Sequence, residues 1–69
     1  MKHKPVTSSN ISAIGYDPKT KLLEVVFHSG RTYQYEGVPA SVVDDLENAS
    51  SIGKYFNENI KGVYHYSEV

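Results

Sequence analysis

The stretch Lys21-Leu22-Leu23-Glu24-Val25-Val26-Phe27-His28-Ser29-Gly30-Arg31-Thr32-Tyr33-Gln34-Tyr35 decides how this chain folds. Leu23, Val25 and Phe27 alternate with Glu24 and Val26, the period of a half-buried strand. His28-Ser29-Gly30 interrupts the strand. A three-residue hairpin loop ends in a left-handed residue, and Gly30 stands where glycine takes that conformation without steric cost. In this register Phe27 faces Arg31, Val25 faces Tyr33 and Leu23 faces Tyr35, all on one side of the sheet. A two-residue Ser29-Gly30 loop would send Tyr33 and Tyr35 to the opposite side, because a slip of one residue flips every side chain. The three-residue loop gathers the apolar residues together and is preferred.

Outward toward the N-terminus, Asp17-Pro18-Lys19-Thr20 reads as a type I turn, with Asp bonding its own turn and Pro presetting φ. Before it, Asn10 to Tyr16 forms a first strand. Ile11 and Ile14 have opposite parity there, which predicts a bulge near Ser12-Ala13. Toward the C-terminus the period changes after Tyr35-Glu36-Gly37-Val38. Pro39 suits the first position of a helix. Val42, Val43, Leu46 and Ala49 recur at helical spacing, with Asp44, Asp45 and Glu47 on the other face. Ser50-Ser51 breaks the run and can cap a second helix to about Ile60, whose apolar stripe is Ile52, Tyr55, Phe56 and Ile60. Gly62 terminates it. Val63-Tyr64-His65-Tyr66 is either a short edge strand or a packed tail.

Strand, strand, strand, helix, helix is an α+β pattern: a three-stranded antiparallel meander followed by two short helices packed on one face. Glu24, Val26, Thr32 and Gln34 then lie on the open face of the sheet. With 69 residues there is room for one domain. Hydrophobic residues make up 39% of the chain, and the formal net charge of −1 fits neither a disordered segment nor a strongly basic nucleic-acid binder. The absence of cysteine excludes disulfides, thiolate metal sites and cysteine nucleophiles, and favours a reducing, cytoplasmic setting. Lys2, His3, Lys4 and Pro5 are followed by no apolar run, so no signal peptide or membrane span is expected. Residues 1–5 read instead as a flexible basic arm.

From Tyr33-Gln34-Tyr35 outward, the sequence resembles the KTSC domain family, named for the lysyl-tRNA synthetase C-terminus and found also as small stand-alone proteins of bacteria and phages. The central Tyr-x-Tyr is preceded by Phe27 and Gly30 and followed by Val38-Pro39. Ser8-Ser9-Asn10-Ile11 and Ile14-Gly15-Tyr16-Asp17-Pro18 match upstream. Ala49, Ser51, Gly53, Tyr55-Phe56-Asn57 and Ile60 match downstream. The resemblance covers about residues 6–64 of a single domain spanning 1–69. It implies RNA binding by association with the synthetase, and no catalytic chemistry.

The residues that would carry such binding are Tyr33, Tyr35, Arg31, Lys2 and Lys4. Two aromatics on one strand can stack single-stranded bases. They can equally pack beneath the helices with their hydroxyls at the rim, and the preferred register favours packing. RNA or another single-stranded nucleic acid is one expected partner. The alternative is a protein, bound through the open sheet face, the third-strand edge or the acidic first helix. His28 beside Ser29 lacks a third group to orient it, so no enzyme is expected. His3, His28 and His65 are too far apart to be a metal motif, and no cofactor is expected. Gly53 reads as a point of close packing against another backbone, or as a way to open the helix start to an anion.

Overall fold

The loop chemistry of the central hairpin sets its geometry. In the computed structural model of the chain, which describes residues 3–69, Gly30 has φ +95°. The Phe27 N–H donates to the Arg31 carbonyl at 2.9 Å, and the Gly30 N–H donates to the Phe27 carbonyl at 2.9 Å. Beyond this loop, strands β3 (Leu22–Phe27) and β4 (Thr32–Tyr35) pair with Leu23 opposite Tyr35 and Val25 opposite Tyr33. This is the three-residue-loop register.

Strand β2 (Ile11–Asp17) pairs antiparallel with β3. Ile11 lies opposite Phe27 and Ala13 opposite Val26, so Ser12 is the extra residue of a bulge. The bulge reverses the parity between Ile11 and Ile14, and both are buried. In the turn that follows, the Lys19 N–H donates to Asp17 Oδ1 at 3.0 Å.

Three expectations are corrected, two of them at the ends of the sheet. Residues 1–5 were expected to form a flexible arm. Instead Lys4–Pro5 forms a two-residue strand, β1, with Lys4 opposite Ile14 and Pro5 opposite Ala13. The outer edge of β2 was free, and an edge strand tolerates a proline that cannot donate. Pro39 is the N-cap of α1 (Ala40–Asn48) rather than its first helical residue. Its φ of −67° serves either position, but its ψ of 152° is extended. The last strand, β5, is Tyr66–Glu68 rather than Val63–Tyr66. The backbone first reverses, with the Val63 and Tyr64 N–H groups donating to the Ile60 carbonyl at 3.1 and 3.3 Å. Pairing with β4 begins only where the Glu36 N–H meets the His65 carbonyl at 2.8 Å.

The sheet therefore has five strands in the order β1-β2-β3-β4-β5. Because β5 covers β4, the third-strand edge expected as a docking site is occupied. Helix α2 (Ile52–Asn59) starts at Ser51, whose hydroxyl accepts the Lys54 N–H at 3.4 Å. Ile11, Ile14, Leu23, Val25 and Tyr35 from the sheet meet Val43 and Leu46 of α1 and Phe56 and Ile60 of the α2 region in one core. The Tyr16 hydroxyl closes the corner, donating to the Val38 carbonyl at 2.6 Å.

Gly53 does not abut another backbone. A Cβ built there meets Ser8 Oγ at 3.4 Å and Asn10 Nδ2 at 3.9 Å, which are ordinary contacts with side chains. Replacing Gly53 by Ala is therefore expected to raise stability by up to ~1 kcal/mol through helix propensity, read as a higher denaturation midpoint with unchanged slope. Tyr35→Ala should do the opposite. Removing a buried aromatic costs ~3–5 kcal/mol, a large part of the ~3–10 kcal/mol available to a domain of this size. Urea titration of this variant should show it mostly unfolded in buffer.

Candidate functional site

Tyr33 and Tyr35 leave the sheet on its helix-facing side because their register partners, Val25 and Leu23, do. Tyr35 is 4% exposed. Its ring lies edge-on to Phe56, with centroids 5.4 Å apart and an interplanar angle of 82°. Tyr33 is half-buried and edge-on to Phe27 at 5.6 Å. On the next strand Tyr66 stands directly opposite Tyr35 and shares its face. Its ring meets Tyr33 edge-on at 5.5 Å and Tyr35 at 5.5 Å with a 31° tilt. Tyr66 itself is 53% exposed. The flat two-base platform weighed for Tyr33 and Tyr35 is thus not available, since neither ring lies open on the sheet.

Above these rings is a groove of about 540 Å³ between the β3–β4–β5 end of the sheet and α2. Tyr33, Tyr35 and Tyr66 line its aromatic wall together with Phe27 and Phe56. Arg31 and Lys61 stand on its rim with Asn10, Asn57 and His28. The neighbouring Tyr33 hydroxyl, followed by the Glu68 carboxylate, holds the Arg31 pKa above its ordinary value. The hairpin tip is tied down on the same side. His28 Nε2 lies 2.9 Å from the Ser8 carbonyl, and the His28 N–H donates to the Asn10 carbonyl at 2.9 Å.

Tyr35 brings a phenol hydroxyl to the groove lining. Burial, followed by the nearby Tyr66 and Tyr33 phenols, pushes its pKa up to about 12. Among the described residues no fully buried side-chain oxygen or nitrogen lacks a partner, so this hydroxyl is reached from the groove. Near neutral pH it is a protonated donor facing the cavity.

The remaining candidates lie elsewhere. Lys4 is on β1, three strands from β4 at ~4.8 Å per strand. Its Nζ donates to Glu47 Oε2 at 2.8 Å, which holds the Lys4 pKa above its usual value. The structure therefore does not bring Lys4 together with Arg31. Lys2 lies outside the described residues. On the open face, Glu24 is bracketed by His3 Nε2 and by Gln34 Nε2, the latter at 3.2 Å. The His3 contact, more than the Gln34 bond, lowers the Glu24 pKa. Glu47 spends its charge on Lys4, so the acidic face of α1 keeps Asp44 and Asp45 exposed. Lys61 and Tyr66, both in the groove, were missed as site residues. Asn57 lines the groove as well, whereas Asn59 bonds the Tyr55 carbonyl within its own helix at 3.1 Å.

A polar depression of about 590 Å³ adjoins the start of α2, lined by Ser8, Asn10, Ser51, Gly53 and Lys54 among others. Among the described residues no group of three His, Asp or Glu side chains is placed to hold a metal. No helix among them is long and apolar enough to cross a membrane.

A five-stranded antiparallel sheet covered on one side by two short helices, with an aromatic groove at one end, defines a small two-layer α+β domain. The chain belongs to the KTSC domain family, whose model matches residues 7–64. It is similar to the KTSC domain protein of Yersinia pestis, known from a crystal structure. The two share 40% identity with a TM-score of 0.96, over 99% of this chain and 96% of that one. An uncharacterized protein of Stutzerimonas stutzeri is 46% identical over 61 residues, 88% of this chain and 86% of that protein. A lysine–tRNA ligase of Nostoc punctiforme is 43% identical over 61 residues, which are 88% of this chain but 11% of the ligase.

The Tyr35 environment predicts an alkaline signature. With the folded pKa at about 12 and an ordinary phenol near 10 in the unfolded chain, the folded state holds the proton more tightly. This stabilisation is complete below pH ~10 and is lost as pH rises through about 12. Phenolate absorbance should show a late component near pH 12 from Tyr35, beside Tyr55, whose phenol pKa burial also raises. In Tyr35→Phe that component should vanish, and stability should fall less between pH ~10 and ~12.

Proposed function

We propose that this chain is a non-catalytic binding module for single-stranded RNA, and that the groove between the sheet and α2 is its binding site. The observation that carries this reading is the combination of an aromatic wall with a cationic rim. Tyr66 offers exposed π surface, while Arg31 and Lys61 bring positive charge to the same groove. Single-stranded nucleic acid is held by this pairing of base stacking with phosphate neutralisation. The net charge of −1 makes the attraction local to the rim rather than a field over the whole surface. Lysine–tRNA ligases of Nostoc contain a segment 43% identical to this chain, which places such a domain within an enzyme that handles RNA. The lack of cysteine suits work in a reducing cytoplasm.

Amide NMR titration with a pool of short single-stranded RNA tests the reading. Localised shifts at Arg31, Tyr33, Tyr35, Lys61 and Tyr66 that fade with added salt are expected. The double substitution Arg31→Ala with Lys61→Ala should abolish them and leave the fold intact, whereas Lys4→Ala should change little. An unmoved spectrum at millimolar RNA would sink the proposal.

A further inference from the structure

The geometry points to a more specific ligand: we infer that the groove receives one unpaired nucleotide, its base against Tyr66, its phosphate at Arg31 and Lys61, and a base acceptor on the Tyr35 hydroxyl. This rests on the RNA reading above and narrows it to a single nucleotide of an end, a bulge or a loop.

Three features of the site set the number at one. Tyr35 and Tyr33 already spend their rings on edge contacts with Phe56 and Phe27. Tyr66 also touches Tyr33 and Tyr35, but at 53% exposure it keeps the open aromatic surface against which a base can lie. The cavity, at about 540 Å³, lies within the ~300–1,000 Å³ range of small-molecule sites. That is room for a nucleotide and not for a run of them. The rim carries two cations, Arg31 and Lys61, and Glu68 beside Arg31 discourages a second phosphate on the β5 side.

Charge complementarity selects an anionic ligand with a flat ring. The Tyr35 hydroxyl adds specificity. Tyr35 lines the groove with its ring packed and its phenol protonated near neutral pH, so it can act as a donor there. A base carries ring-nitrogen or carbonyl acceptors at the end remote from its phosphate. Asn10 and Asn57, which also line the groove, add amide donors and acceptors. A ligand that accepts from the hydroxyl gains over one that displaces its water without replacing that bond.

The test compares 5′-nucleoside monophosphates, the matching nucleosides, inorganic phosphate and a five-nucleotide RNA, each titrated into the full chain by amide NMR. A monophosphate is expected to move the same groove amides as the oligonucleotide. The nucleoside and free phosphate should each bind at least about tenfold more weakly, since each forfeits one half of the site. With two cations engaged, log affinity for the oligonucleotide should fall against log salt with a slope of about −1.4. Tyr66→Ala should weaken binding about fivefold or more through lost stacking, and Tyr66→Phe should restore it. Tyr35→Phe should weaken the monophosphate while leaving the fold in place. If the oligonucleotide binds but the monophosphate moves no groove amide, the single-nucleotide inference falls and the RNA reading stands. The same holds if affinity keeps climbing with each added nucleotide and the salt slope is much steeper. If no member of the panel binds, both fall.

Discussion

The left-handed backbone at Gly30 is the constraint on which the rest of the structure depends. It closes a three-residue loop, and the loop locks Phe27 to Arg31. From that lock every residue of the hairpin is assigned a side. Leu23, Val25, Phe27, Tyr33 and Tyr35 are sent toward the helices, and Glu24, Val26, Thr32 and Gln34 away from them. The same lock puts Arg31 at the mouth of the groove and the aromatic rings inside it. Core and site are therefore one surface. Its deep part is dry and holds the fold, and its shallow part remains open.

What the sequence made legible follows from how strongly each element is patterned. The hairpin register could be read because alternation on both strands and a glycine at one loop position agree. The bulge was visible because Ile11 and Ile14 cannot share a face without one. Ser51 and the α2 stripe stood out because capping and helical spacing coincide. The ends of the sheet were not legible in the same way. Lys4–Pro5 is too short to have a period, and a proline usually argues against a strand. β5 could be suspected from Val63 to Tyr66, but the turn at Ile60 consumes those residues and shifts pairing onward. Edge strands of two or three residues are decided by which neighbouring edge is free, and that is a tertiary fact.

The candidate site was legible by half. Tyr33, Tyr35 and Arg31 sit on the hairpin whose register was readable, and they come together. Lys61 and Tyr66 lie near the other end of the chain, and only the closing of β5 onto β4 brings them to the same cavity. A sequence signal for them would have been the recurrence of an aromatic and a cation around Gly62, but nothing local distinguishes that from a solvated tail. Lys4 was grouped with Arg31 by charge alone. The structure separates them by the width of the sheet and gives Lys4 a carboxylate of its own.

Pro5 has one further consequence, for the behaviour of many copies at once. A sheet with a bare flank is a template on which another chain can lay a strand. On the β1 flank the template is two residues long, and one of them has no hydrogen to offer. The β5 flank is three residues long and carries the charged Glu68. Among the described residues each outer strand thus offers a growing ribbon only a short foothold. Flanks this short limit how many backbone hydrogen bonds a second sheet could add at either edge of the uncovered face.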